Sequence, residues 1–388
     1  MNKPWIACIC AALGSVGLVA CGGGGGSGSV STPTGTLKVS MTDAPSCGYD
    51  NVFVTVSQIR VNANTNAGDN DAGWYTINVA APQKTDLLSL SNGVLAELGQ
   101  TALPAAQYQQ IRLVLAPNSG KTLANSIVPA GGSEQALDTP SATQSGFKII
   151  RPFTVEAGTL VDLVLDFDAC KSIVQRGNGS YALKPVVTAT PAVVSGAIAG
   201  YVAPGASGTA VYAEQNGQIV KGTVADSSGR FVLSPLVQSA TQGNYDVVMV
   251  RSGAATGIVQ SVPVAVNTTT AVSTSQAPVA LPASQMGTAG GNVTASAMAT
   301  VRALQFINGV TYEVASANAN LDTGAYSFAL PTAAPIIATY AGSLPVGFVP
   351  TPASAGQYTL QATAASGASQ SSTVNIGSVA QATVNFSF

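Results

Sequence analysis

Short runs that alternate apolar and polar residues, rich in β-branched side chains, recur along nearly the whole chain. Residues 37–41, 52–59, 111–115 and 160–167 are clear examples. A period of two sends successive side chains to opposite faces, so each run reads as a strand with one buried face. Clusters of Gly, Pro, Asn and Ser between the runs supply turns. The pattern predicts an all-β protein built from antiparallel β-sandwiches. One stretch departs from it. Leu87, Leu88, Leu90, Val94, Leu95 and Leu98 fall at near-helical spacing, interrupted by Asn92-Gly93. It predicts one short helix over about residues 92–98 and little helix elsewhere.

Charge is scarce. Among 388 residues, Lys and Arg number 15, Asp and Glu 17, and histidine is absent. Charged residues make up 8%, against roughly 25% in an ordinary soluble domain. Disorder requires high charge and low hydrophobicity, so most of the chain is expected to fold. A formal charge of −2 gives no electrostatic basis for nucleic-acid binding. The missing histidine excludes Ser–His and Cys–His triads, histidine zinc sites and imidazole acid–base chemistry.

The N-terminus reads as an address. Lys3 is followed by an uncharged, mostly apolar stretch from Trp5 to Ala20, shorter than the roughly 20 residues of a membrane-spanning helix. It fits a secretory signal peptide. It ends in Leu18-Val19-Ala20-Cys21, which resembles the lipobox of bacterial lipoproteins. The resemblance implies cleavage before Cys21 and acylation of its sulfur. Gly22 to Gly26 and the following Ser and Gly residues then behave as a flexible tether over residues 21–35. Gly22, in place of Asp, follows the cysteine. By resemblance to common sorting rules, that favours the outer membrane, with the protein facing the periplasm or the cell surface.

With Cys8 and Cys10 removed and Cys21 lipidated, Cys47 and Cys170 remain. Two cysteines in an oxidising compartment are expected to pair. The closed loop would hold about 120 residues, a chain-entropy contribution of roughly 4–5 kcal/mol at most. Two buried free thiols are the alternative.

After Pro191 the composition shifts to Ala, Gly, Ser, Thr and Val, and two segments there resemble each other. Asp226-Ser227-Ser228-Gly229-Arg230-Phe231-Val232-Leu233 corresponds to Asp322-Thr323-Gly324-Ala325-Tyr326-Ser327-Phe328. Gly229 aligns with Gly324, Phe231 with Tyr326, and Leu233 with Phe328. The Asp-to-Gly element is a tight turn in which Asp caps the backbone and Gly takes the left-handed position. The repeat predicts two similar sandwiches, over residues 195–278 and 285–388.

Residues 36–192 form a third expected sandwich. Within them Ser40-Met41-Thr42-Asp43-Ala44-Pro45, Asp86-Leu87-Leu88, Asn92-Gly93, Leu103-Pro104-Ala105 with Tyr108, Asp166-Phe167-Asp168-Ala169-Cys170 and Leu183-Lys184-Pro185-Val186 resemble the DUF4382 family of bacterial lipoproteins. That family is named for its lack of a known function. Residues 195–278 resemble carboxypeptidase-regulatory-like (transthyretin-like) sandwiches, and 285–388 a more distant copy. These resemblances imply three prealbumin-like or immunoglobulin-like domains in a row, with one short helix in the first.

One constellation carries chemistry. On the strand 160–167, Val161, Leu163, Leu165 and Phe167 share the core face, and Asp162, Val164 and Asp166 share the other, with Asp168 just beyond. A Cys47–Cys170 disulfide would hold Asp43 beside Asp166 and Asp168. Three carboxylates form an oxygen-rich cluster suited to Ca²⁺. The same residues serve equally as an outward acidic face and a turn-former, paired with Lys171, Lys184 or Arg112. A glycosidase-like carboxylate pair is a third alternative. Ser145-Gly146-Phe147-Lys148 matches an S-x-x-K pattern, but Phe147-Lys148-Ile149-Ile150 reads as a strand and the accompanying Lys-Thr-Gly is absent, so the match is read as chance. The chain is therefore expected to be a non-catalytic, lipid-anchored envelope lipoprotein that presents sandwiches for protein or glycan binding, with no cofactor apart from the candidate Ca²⁺. The alternative is a hydrolase acting through Asp43, Asp166 and Asp168.

Overall fold

The alternating runs fold as strands. Residues 37–41 lie in Thr34–Asp43, 52–59 in Tyr49–Asn62, 111–115 in Ala106–Leu115, and 160–167 form Leu160–Phe167. The computed structural model describes residues 32–43, 48–79, 81–120, 122–184, 186–377 and 381–388. The expected signal peptide, Cys21, the tether up to residue 31 and Cys47 lie outside the described residues, and the last tether positions, Thr34 and Gly35, already belong to the first strand.

In the first sandwich one sheet runs Val187–Pro191, Leu160–Phe167, Thr34–Asp43, Ala96–Pro104. The opposing sheet is centred on Tyr49–Asn62, flanked by Ala106–Leu115 and Ser126–Pro129. Alternation aims Leu37, Val39, Met41, Leu163, Leu165 and Phe167 from the first sheet into a core shared with Val54, Ile59, Ile111 and Leu113 from the second. All ten are fully buried, each worth roughly 1.5–3 kcal/mol relative to exposure. The all-β sandwich expectation holds, and one pairing within it is parallel. Thr34–Asp43 runs parallel to Leu160–Phe167 over eight paired positions, because a sandwich that brings an early and a late strand side by side can join them in the same direction.

The helix expected over residues 92–98 is also corrected. A single 3₁₀ turn forms earlier, at Leu87–Leu90, capped by Asp86, whose Oδ1 accepts from Leu88 N at 3.2 Å. Asn92 and Gly93 then adopt left-handed φ values of 58° and 78°, which end any helix. Ala96–Pro104 continues as a strand against Thr34–Asp43. The leucine spacing reflects apolar contacts on either side of a turn, so tertiary packing overrides the local period.

Beyond Pro191 the topology repeats. The first copy comprises Ser195–Tyr201, Ala210–Gln215, Gln218–Val224, Arg230–Val237, Tyr245–Val250, Gly257–Val262 and Thr269–Ala271. The second comprises Met286–Asn292, Thr300–Ile307, Val310–Asn318, Ala325–Pro331, Gln357–Thr363, Ser369–Asn375 and Gln381–Thr383. In each copy one sheet takes the order fourth, first, seventh, with the seventh strand parallel to the first, and the other takes the order third, second, fifth, sixth. The register agrees with the sequence alignment. Val202 N donates to Gly229 O and Val293 N to Gly324 O, both at 2.8 Å. Gly229 and Gly324 have φ of 80° and 69°, and a Cβ on either would collide with the carbonyl oxygen of Val202 or Val293. Only glycine fits both demands. One detail differs: the turn in the second copy is capped by Asn320, whose Oδ1 accepts from Asp322 N and Thr323 N at 3.1 and 3.0 Å.

The sandwiches do not simply follow one another in a row. Ile336–Thr339, inserted between the fourth and fifth strands of the second copy, pairs in parallel with Gly257–Val262 of the first, and Val349–Pro350 extends that sheet. The second copy thus lends strands to its neighbour. The first sandwich touches both copies. Asn318 Nδ2 donates to Lys171 O and Ile173 O at 2.7 and 3.1 Å, and Asp322 Oδ2 accepts from Gly177 N at 2.5 Å.

Candidate functional site

The parallel pairing of Thr34–Asp43 with Leu160–Phe167 places Asp43 opposite Phe167 at the end of the sheet. Just beyond, the chain turns into a short helix, Ala169–Ser172, capped by Asp168, whose Oδ1 accepts from Lys171 N at 3.0 Å. Asp43 Oδ1 accepts from Ala169 N, also at 3.0 Å. The three predicted acids are therefore neighbours at one end of the first sandwich. Cys170 is the second residue of that helix.

The outward face of the strand is covered. Val164 is 2% exposed, and Lys221, from the strand Gln218–Val224 of the next sandwich, brings Nζ to 2.6 Å from Asp166 Oδ1. Lys171 Nζ lies 3.5 Å from Asp168 Oδ2 and 3.7 Å from Glu313 Oε1. Glu313 Oε2 accepts from Arg302 Nε at 2.7 Å, and its backbone N donates to Glu214 Oε2 at 3.1 Å. Arg302 also donates to Gly217 O. The cluster thus joins all three sandwiches at one place.

Five carboxyl groups (Asp43, Asp166, Asp168, Glu214 and Glu313) meet three cations (Lys171, Lys221 and Arg302). Burial pushes Asp43 and Glu214 well above the usual carboxylate range, opposed by the backbone hydrogen bond each accepts and reinforced by neighbouring acids. These are the two acids without a cation of their own. Asp43 Oδ2 and Glu214 Oε1 have no hydrogen-bond partner among the described residues. Burial also raises Asp166, offset by Lys221, and it raises the Tyr212 hydroxyl, reinforced by Asp168, Glu313 and Glu214.

Among the described residues no three His, Cys, Asp or Glu side chains are placed to hold a metal ion. Each of the three carboxylates has a partner within the protein: Asp43 Oδ1 accepts from a backbone N–H, Asp166 meets Lys221, and Asp168 caps the helix and meets Lys171. Of the cations expected to pair with these acids, only Lys171 does. Arg112 binds Asp69 Oδ1 at 2.5 Å instead, and Lys184 forms no ion pair among the described residues. Lys221, Glu214, Arg302 and Glu313 were not anticipated. Their signal is a charge inside an apolar strand, as in Gln218-Ile219-Val220-Lys221-Gly222-Thr223-Val224, which is conspicuous in a chain so poor in charge.

A cavity of about 70 Å³ beside the cluster is lined by Asp166, Asp168, Lys171, Thr188 and Lys221. At roughly 30 Å³ per water it has room for a couple of solvent molecules and none for a sugar ring. A second contact fixes the first sandwich to the next. The Asn92-Gly93 turn enters the edge of the second sandwich, where Asn92 Nδ2 donates to Val224 O at 2.8 Å and Oδ1 accepts from Val232 N at 3.0 Å. Asn92 N donates to Thr223 Oγ1 at 2.8 Å. The motif expected to open a helix is a docking turn.

Residues 34–185 match the family model described as "Domain of unknown function (DUF4382)". The match covers under half of the chain. No curated protein matches the sequence. Among solved structures, a cohesin–X-dockerin complex of Acetivibrio cellulolyticus aligns with 22% identity and TM-score 0.19 over 23% of this chain and 58% of that one. This chain therefore spans little more than half the length of that relative. The minor pilin of Streptococcus agalactiae aligns with 11% identity and TM-score 0.18, covering 64% of this chain and 96% of the pilin. The full-length major pilin of Corynebacterium diphtheriae aligns with 9% identity and TM-score 0.16, covering 91% and 97%. At these scores the likeness carries no argument about arrangement or function.

Proposed function

We propose that the chain is a lipid-anchored protein of the cell envelope, carried at the outer membrane through Cys21, whose β-sandwiches form a non-catalytic module for binding protein or glycan. The observation that carries this reading is the use made of the charged cluster. Asp43 is fully buried, Asp166 meets Lys221 of the next sandwich, and Asp168 holds Lys171, which reaches on to Glu313 of the last. A hydrolase needs a carboxylate within reach of a substrate. These acids face other parts of the same protein across a cavity too small for one. The hydrolase alternative therefore loses its geometric support.

The anchor rests on Leu18-Val19-Ala20-Cys21 and the glycines that follow. Stable anchoring takes more than one acyl chain, which the lipoprotein modification would supply. The last two modules, with one sheet order repeated twice, support the likeness to carboxypeptidase-regulatory-like sandwiches. A Cys47–Cys170 disulfide is consistent with the Asp43–Ala169 hydrogen bond, which holds the chain close together a few residues from each cysteine.

The test has two arms. Metabolic labelling with a fatty acid should mark the wild-type chain in the membrane fraction and leave Cys21→Ser unlabelled. Labelling of Cys21→Ser would sink the anchor. Screening the purified chain against cell-wall fragments, glycans and envelope proteins should give saturable binding without turnover. Release of product from any of these would sink the non-catalytic reading.

A further inference from the structure

Lys184 stands at a wall of its own. It follows the short strand Tyr181–Leu183 and lines a cavity of about 320 Å³ between the first sandwich and the last. Val174 and Leu183 form one side, and Ala299, Ala319 and Leu321 the other. Apart from Asn318, every other lining residue is apolar. Asn318 is committed: its Nδ2 binds two backbone carbonyls, and its Oδ1 accepts from Thr300 Oγ1 at 2.8 Å. Among the described residues, Lys184 Nζ donates one long hydrogen bond, 3.5 Å, to that same Thr300 hydroxyl. Met298, 52% exposed, marks the mouth and holds a left-handed φ of 46°. A flexible thioether there can adapt to what enters.

We propose that this cavity is a binding site for a small apolar carboxylate, a medium-chain alkyl or single-ring acid, with its body against Val174, Leu183 and Ala319 and its carboxylate on Lys184. The volume is near the lower end of ligand pockets, about 300 Å³, so a long acyl chain does not fit. An apolar pocket with one convergent charged group is the usual form of such sites. The charge fixes the sign of the ligand, because Lys184 is the only ionisable group in the wall. Lys184 is exposed at the rim, its apolar neighbours still lower its proton affinity through desolvation, and an incoming carboxylate would reverse that effect. The site is independent of the reading under "Proposed function".

The test is calorimetric titration of the purified full chain with octanoate and with octanamide, its neutral analogue. Octanoate should bind one to one, and more tightly than octanamide. Lys184→Met should weaken octanoate at least tenfold and leave octanamide unchanged, since the methionine keeps the apolar stem. Ala365→Phe, at an exposed position of the lining, should block both ligands without disturbing the fold, checked by an unchanged melting curve. Absence of saturable octanoate binding would overturn the proposal. So would equal octanoate affinity in the wild type and Lys184→Met.

Discussion

Lys221 and Asp166 lie 55 positions apart in the chain, in different sandwiches, and their side chains meet at 2.6 Å with 3% and 12% of their surfaces exposed. Removing one member of a buried pair leaves the other charge without compensation. Lys221→Met should destabilise the protein by about 3 kcal/mol, the usual range being roughly 3–5 kcal/mol. The double variant Lys221→Met with Asp166→Leu should recover most of that loss, because replacing both members of such a pair is often neutral. Urea denaturation measures each value. A Lys221→Met variant as stable as the wild type would mean that the pair does not hold the sandwiches together.

The Asn92 turn is the other contact between the first two sandwiches. Asn92→Ala deletes the side-chain bonds to Val224 O and Val232 N and puts a non-glycine residue without local hydrogen bonding at φ 58°. The expected cost is about 2–4 kcal/mol, from two buried backbone groups left unpaired plus backbone strain. Hydrogen exchange at the Val232 amide should accelerate far more than exchange in the core of the first sandwich, for example at Val54. Uniform acceleration across the chain would show that the turn acts on global stability and not on docking.

The strands and the repeat were legible because both depend on local pattern. Alternation located the strands at 37–41, 52–59, 111–115 and 160–167, and the Gly229–Gly324 alignment fixed the register of two sandwiches, since each glycine answers a steric demand from its own neighbouring strand. The positions of Asp43, Asp166 and Asp168 near one another were also legible, from Asp166-Phe167-Asp168 and the adjacent cysteine. Their partners were not. Lys221 reaches Asp166 only because the second sandwich docks on the first, and no local spacing encodes that. The same holds for Ile336–Thr339, whose apolar run looks like any core strand but completes a neighbour's sheet. At Asn92-Gly93 the leucine spacing suggested a helix, whereas the left-handed pair required a turn. There the turn residues carried the information and the spacing did not.

Stability should fall as pH rises. Burial raises Asp43, Glu214, Asp166 and Asp246 above their ordinary values. In the unfolded chain such acids lose their protons near pH 4, while the folded state keeps them. Over that window the unfolded state binds fewer protons, so this stabilisation is fully present below about pH 4 and is lost as pH rises through the folded values. Glu134 and Asp226 are lowered by hydrogen bonds, to Lys84 and to Ser228 respectively, and contribute in the opposite sense. Both are exposed, so screening keeps their contribution small. The urea midpoint should therefore be higher at pH 5 than at pH 8. Asp43→Asn, which keeps an acceptor for Ala169 N, should shrink that difference. A midpoint that rises with pH would show that Asp43 and Glu214 are ionised in the folded protein.

The central claim is that Asp166 clamps the first sandwich to the next through Lys221, and that Asp43 and Asp168 are held by Ala169 N and Lys171 in structural parts instead of holding a metal. Thermal unfolding of the purified chain in millimolar Ca²⁺ and in chelator tests it most directly. A bound ion at a hundred times its dissociation constant would add about 2.7 kcal/mol and shift the melting temperature by several degrees. With each carboxylate already held by Lys221, Lys171 or a backbone N–H, the two melting curves should superimpose. A rise in Ca²⁺ that disappears in Asp166→Asn would contradict the account and restore the cluster as a metal centre.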